Sequence, residues 1–268
     1  MAIFLYLIAI GCIVGMFLQF RNLVKYYFIY RSSFKGEITP YQEKVIRVVL
    51  NKYVPYFQKL SQQGKRKFIK RLAGIYFSFE FVGRGNVLIN TEVKTLICSA
   101  IVKLTFGLKE YDLDRFKTII VYPNIFQITD YLPRMKGATS ESGKMYFSLD
   151  HIMLGYETSN DGINLAIHEM AHAIKLNYFN NIYDRNFGKY KDWETEAEIT
   201  QIEKGNDSIF FRKYAYKNMH EYFAVTMENF IERPKEFLEN YPRLFAAACL
   251  LLNQNPLNTK SDYKISNW

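Results

Sequence analysis

The chain has 268 residues, 49% of them hydrophobic and 23% charged, a globular composition that excludes a disordered chain and suffices for one sizeable core or a core with an appendage. Its net charge is +9, but no zinc-finger spacing, RNP-like aromatic motif or helix-turn-helix signature accompanies that charge, so no nucleic-acid partner is expected and an anionic membrane surface is. Cys12, Cys98 and Cys249 are too few and too far apart for a disulfide framework or a thiolate metal site, and 21 Tyr with 22 Phe point to an aromatic-rich core.

Residues 1–20 carry no charged side chain, and Gln19 is their only strongly polar one. Twenty helical residues span roughly 30 Å, the thickness of a bilayer's hydrocarbon core. No Lys or Arg precedes the run, which ends in bulky Phe17, Leu18 and Phe20 instead of a small-x-small cleavage site, so the segment reads as an uncleaved transmembrane anchor. Arg21, Lys25, Arg31 and Lys35 follow it. By the positive-inside rule the expectation is a single-pass protein of the inner (cytoplasmic) membrane, with 21–38 a basic juxtamembrane linker and the remainder facing the cytoplasm.

Thr39-Pro40 predicts a helix start, with Thr as N-cap and Pro at the first position, and Val45, Ile46, Val49, Leu50 and Val54 recur at helical spacing. A basic helix is expected over Arg66 to Phe77, and a strand interrupted by Gly83 and Gly85 over Phe81 to Ile89. Thr91-Glu92 opens a further apolar helix through Leu104. Ile119 to Tyr122, ended by Pro123, and Lys144 to Leu149 read as strands, with a loop over Gly137 to Gly143 between them. From Asp161-Gly162 the chain reads as mostly helical to Leu252, and from Asn253 onward as polar and loose. The fold class is α+β: a small sheet and a helical C-terminal half, spanning 39–258, with 259–268 a polar tail.

His168-Glu169-Met170-Ala171-His172 matches H-E-x-x-H. On a helix, residues i and i+4 share one face, so both imidazoles can reach one cation, and Glu169 projects beside that face. Zinc accepts neutral imidazole nitrogen, and two His leave room for a third ligand and a water. Ile163, Leu165, Ala166, Ile167, Ala171, Ala173 and Ile174 mark a buried helix that presents the pair inward. Asp192, Glu194, Glu196, Glu198, Glu221, Glu228 and His220 all stand downstream as third-ligand candidates, and spacing alone does not rank them.

Tyr214 and Glu221-Tyr222-Phe223-Ala224-Val225, following the His168 motif, resemble the Mlc titration factor A family of zinc-dependent peptidases over about residues 40–258. The resemblance implies a zincin-like domain whose active site is related to that of the anthrax lethal factor peptidase. It implies one Zn2+ per chain held by His168, His172 and Glu221, with Glu169 as catalytic base and Tyr214 stabilising the charge on the attacked oxygen. Lys175 stands where many family members carry an Asp, which leaves the outer partner of the ligating histidines unassigned. The expected function is a membrane-anchored zinc peptidase acting on a peptide or protein substrate. The alternative is a membrane-tethered binding protein that sequesters a transcriptional regulator, with the metal structural.

Overall fold

In the computed structural model, which describes residues 38–129, 133–180, 186–205 and 209–265, Thr39 opens the first helix as its sequence predicts. The Thr39 side chain accepts from the Gln42 amide while the Gln42 side chain accepts from the Thr39 amide, a complete capping box ahead of α1 (Pro40–Tyr53). Pro55 ends that helix and starts the single turn α2 (Pro55–Gln58). The basic helix α3 (Gln62–Ser78) begins four residues before its expected start, because Ser61 caps the Gly64 amide. Helix α4 (Thr91–Thr105), capped by Asn90, is buried on every side from Thr95 to Thr105 and forms the spine of the core.

The sheet has four strands in the order β1-β2-β4-β3: β1 (Glu80–Gly83), β2 (Thr118–Tyr122), β3 (Gly137–Thr139) and β4 (Lys144–Ser148). The first three in that order run parallel, and β3 closes the edge antiparallel to β4, with Gly137 opposite Phe147. Ile119, Ile120 and Val121 are all buried, as a strand covered on both faces requires. Two expectations are corrected here. The first strand stops at Gly83 instead of Ile89, the chain turning locally with the Val87 amide donating to the Arg84 carbonyl. Residues 137–139, expected as loop, form β3, because a three-residue edge strand held by backbone pairing leaves no hydropathy pattern to read.

A short helix α5 (Leu149–Glu157) follows β4, and the helical half consists of α6 (Leu165–Tyr178), α7 (Phe187–Lys204), a 3-10 turn (Lys213–Lys217), α8 (Met219–Glu232), α9 (Pro234–Asn240) and α10 (Pro242–Leu252). Phe179, Tyr190, Trp193, Phe211, Tyr222 and Phe223 form a buried aromatic cluster there, the Trp193 and Phe223 rings meeting edge to face at 4.9 Å. The segment after Asn253, expected to be loose, is tied down. Tyr263 is buried and its hydroxyl donates to the Tyr56 carbonyl, while Asp262 accepts from both the amide and the hydroxyl of Ser61.

The expected transmembrane helix over 1–20 falls outside the described residues, as does nearly all of the 21–38 linker. No helix among the described residues is long and apolar enough to cross a membrane. The expected fold class and the single-pass inner-membrane placement facing the cytoplasm are therefore corrected to an α+β fold of the described residues, with no membrane-crossing helix among them. The longest described helix, the 18-residue α7, has exposed Lys189, Lys191 and Asp192. The apolar α10 has only 11 residues and buries its apolar face in the core, at a length of about 16 Å against the roughly 30 Å of a bilayer. Run length and flanking charge, on which the expectation rested, do not decide what an apolar segment packs against.

Lys175 lies on α6 with its ammonium 5.0 Å from the Tyr190 ring centroid. Burial lowers its pKa from 10.5 to about 8, against the pull of Glu194 and with the repulsion of Lys191. A lowered lysine binds its proton less tightly folded than unfolded. The penalty is therefore full below about pH 8 and fades as pH rises towards 10.5. Lys175→Met is expected to stabilise the fold at pH 7 by about 1–2 kcal/mol, allowing for the lost ring contact. Urea denaturation of both chains at neutral pH and again above the unfolded pKa checks this, the gain disappearing in the second condition.

Candidate metal centre

The motif helix is positioned from its N-terminus. Gly162 has φ +74, and a Cβ there would come within 2.4 Å of the Asn229 Oδ1, so this turn requires glycine. Asn164 follows as N-cap, its side-chain oxygen accepting from the Ile167 amide at 3.1 Å, and it is almost fully buried. Asn164 also ties α6 to α8: its amide donates to Glu228 at 3.0 Å and its side-chain nitrogen donates to Glu232 at 2.9 Å. Helix α8 is capped in turn by Asn218, which accepts from the Glu221 amide and places Glu221 in the first turn.

Where α6 meets α8, three ligand atoms converge. His168 Nε2 lies 3.0 Å from Glu221 Oε2 and 3.2 Å from His172 Nε2, and the His172 to Glu221 edge is 3.5 Å. A tetrahedral zinc with bonds of about 2.0–2.1 Å needs its ligand atoms about 3.3–3.4 Å apart, so this triangle matches one face of such a tetrahedron. The chemistry of the set agrees. Two imidazole nitrogens this close repel unless a proton or a cation lies between them, and the carboxylate beside them favours positive charge. Among the described residues these three form a group of His, Cys, Asp or Glu side chains placed to hold one ion. They fit a metal.

The electrostatics point the same way. Burial would lower the pKa of His168, but Glu228 and Glu221 outweigh it and hold it up at about 10. Burial would raise Glu221, but the two imidazoles hydrogen-bonded to it hold it well below the usual carboxylate range. Glu169 is 4% exposed, and burial raises its pKa against the pull of His168, His172 and the Thr139 hydroxyl. Thr139, on β3, donates to Glu169 Oε2 at 2.8 Å. Gly137, two residues earlier, leaves the space for that carboxylate, since a Cβ there would stand 2.6 Å from Glu169 Oε1. Tyr214 sits on the 3-10 turn, half exposed, with its ring 6.0 Å from that of His168. Burial, followed by the Glu221 and Glu169 carboxylates, raises its pKa to about 12.

The other sequence candidates lie elsewhere. Glu194 pairs with Lys191 and accepts from Tyr190, Glu196 pairs with Arg243, and Asp192, Glu198 and His220 are exposed. Glu228 is 1% exposed and stands behind the triangle, 3.5 Å from His168 Nδ1 and 2.7 Å from Arg212 Nη2. It is the carboxylate on the far ring nitrogen of His168 that the sequence left unassigned. Arg212, Thr139 and Gly137 carry no motif and were not singled out. Their only sequence signal is proximity to Tyr214 and to the short β3.

The model of the glucose-regulated metallo-peptidase M90 family matches residues 31–251. The chain is similar to an uncharacterized protein of Synechocystis sp., 23% identical over 222 residues, which cover 74% of this chain and 80% of that protein. It is also similar to proteins named Mlc titration factor A. The one from Escherichia coli O127:H6 is 26% identical over 193 residues, covering 64% of this chain and 71% of the relative. The one from Shigella flexneri serotype 5b is 25% identical over 193 residues, with the same two coverages of 64% and 71%.

Proposed function

This chain belongs to the glucose-regulated metallo-peptidase M90 family, and from that premise we propose that it is a zinc peptidase with Glu169 as general base. The observation that carries this reading is the His168, His172 and Glu221 triangle with the Glu169 carboxylate buried at its edge. These three residues would hold the ion, and three protein ligands, not four, leave one position for chemistry. When bound, a zinc ion supplies Lewis acidity, lowering the pKa of a water from near 16 to about 7 and polarising a carbonyl.

The remaining steps belong to the chain's own residues. Glu169 takes a proton from the attacking water as the oxygen–carbon bond forms, then delivers it to the amide nitrogen as the carbon–nitrogen bond breaks. Its raised pKa keeps the carboxylate ready to hold that proton between the two steps. Thr139 orients it by donating to Oε2. Tyr214, kept protonated at neutral pH, donates towards the negative charge that develops on the carbonyl oxygen. Glu228 fixes the orientation of the His168 ring from behind.

Two experiments follow. The zinc-loaded full chain is expected to cleave a library of unstructured, fluorescence-quenched peptides, to stop on adding a chelator and to resume on adding zinc back. Absence of cleavage with zinc bound contradicts the peptidase reading. Gly137→Ala is expected to displace the Glu169 carboxylate and lower kcat/KM by about a hundredfold with zinc content unchanged, since misplacement by about 1 Å has that scale of effect. Parallel assays of zinc stoichiometry and turnover check it. A second reading, a binding protein that sequesters a transcriptional regulator around a structural metal, draws on the word titration in the name Mlc titration factor A of the Escherichia coli and Shigella relatives. Retention of a poised Glu169 beside a three-ligand set weighs against it as the sole function.

A further inference from the structure

At the opposite end of α8 from Glu221 of the metal triangle, the buried face of α4 ends in a charge. Lys103 is 4% exposed near the C-terminal end of α4, and its ammonium makes no hydrogen bond or ion pair among the described residues. Its nearest feature is the Tyr156 ring, with the centroid 4.7 Å away. Lys103 lines a cavity of about 180 Å³ together with Glu232, Tyr53, Tyr56, Tyr156 and Ser159. Glu232 gives one oxygen to Asn164, while its other oxygen, Oε2, is buried without a donor.

A lysine buried along its length and a half-used carboxylate, facing one cavity outside ion-pair distance, are costly features. Burial pushes the Lys103 pKa down and the Glu232 pKa up, each only partly offset by the other's charge across the cavity. The cost is removed by a ligand that brings an acceptor to Lys103 and a donor to Glu232. A dianion would satisfy the lysine but be repelled by the fixed carboxylate, and a simple cation would do the reverse. At about 30 Å³ per water the cavity has room for one small organic molecule, and its tyrosine walls take an apolar side group. The hydroxyls of Tyr56 and Tyr156 are already committed to Gln254 and to the Leu96 carbonyl, and Lys103 and Glu232 are the charged anchors, with Ser159 and Asn160 as further polar lining.

We propose that this cavity is a second ligand site, for a small zwitterion such as a free α-amino acid, with its carboxylate on Lys103 and its ammonium on Glu232. The site is separate from the metal triangle, and Asn164 links it to the carboxylate behind that triangle by contacting both Glu232 and Glu228. The proposal does not depend on the peptidase reading, because its readout is binding.

Calorimetric titration of the full, zinc-loaded chain with L-alanine and L-leucine tests it, alongside acetate and methylammonium as half-ligands. Saturable millimolar or tighter binding of at least one amino acid is expected, with neither half-ligand matching it. Lys103→Met and Glu232→Gln, each near-isosteric, are expected to weaken that binding at least about tenfold, the scale of one charge-assisted hydrogen bond. Both variants are first checked for native circular dichroism and cooperative melting, and either one that folds suffices. No saturable binding of either amino acid, equal binding of acetate alone, or binding unchanged in the folded variants overturns the proposal.

Discussion

Glu169→Gln is expected to lower kcat/KM for peptide cleavage by about 10²–10⁴-fold while zinc stays at one per chain. The amide has the shape of the carboxylate, and its oxygen still accepts from Thr139, so the pocket formed by Gly137 and β3 is preserved. What is lost is the ability to take a proton from water and return it to the departing amine. Glu169 is not among the three triangle residues, and metal content should not follow activity down. Turnover near that of the parent would remove Glu169 from the role of base. Loss of zinc together with activity would place it among the ligands instead.

The second large effect concerns metal affinity. Glu221→Ala removes one vertex of the triangle and is expected to weaken zinc binding by well over about a hundredfold, leaving two imidazole nitrogens 3.2 Å apart without their third ligand. Glu228→Gln should cost less, about 10–100-fold, because Glu228 acts on the ion only through His168 Nδ1. The order of the two variants is decisive: spacing leaves both residues eligible as third ligand, the family resemblance puts Glu221 ahead, and the fold sets Glu221 on the triangle and Glu228 behind it. Competition titration against a zinc-sensitive dye reads both. Equal losses, or a larger loss in Glu228→Gln, would reverse the assignment of inner and outer carboxylate.

The H-E-x-x-H helix was legible because a one-turn spacing on a buried face is a local property, and the apolar flanks stated which face was buried. The capping box at Thr39 and the β-branched run of β2 were legible for the same reason. Choosing Glu221 over Glu228 was not legible from spacing, since both lie on α8 and the choice depends on how α8 crosses α6. The family resemblance supplied it. Thr139 and Gly137 escaped because a three-residue edge strand has no period and its contact with Glu169 joins residues 30 apart. The packing of Tyr263 against Tyr56 escaped too, being a contact across 207 residues in a polar segment. The membrane anchor rested on apolar run length and flanking charge in residues that lie outside the described ones, and no described helix is long and apolar enough to take that role.

The central claim is that His168, His172 and Glu221 hold one zinc ion. Anomalous diffraction at the zinc edge, from crystals of the zinc-loaded chain, tests it most directly. The account predicts a single strong peak about 2.0–2.2 Å from His168 Nε2, His172 Nε2 and a Glu221 carboxylate oxygen. A peak coordinated by other side chains, or zinc bound with Glu221 turned away from it, would contradict the account.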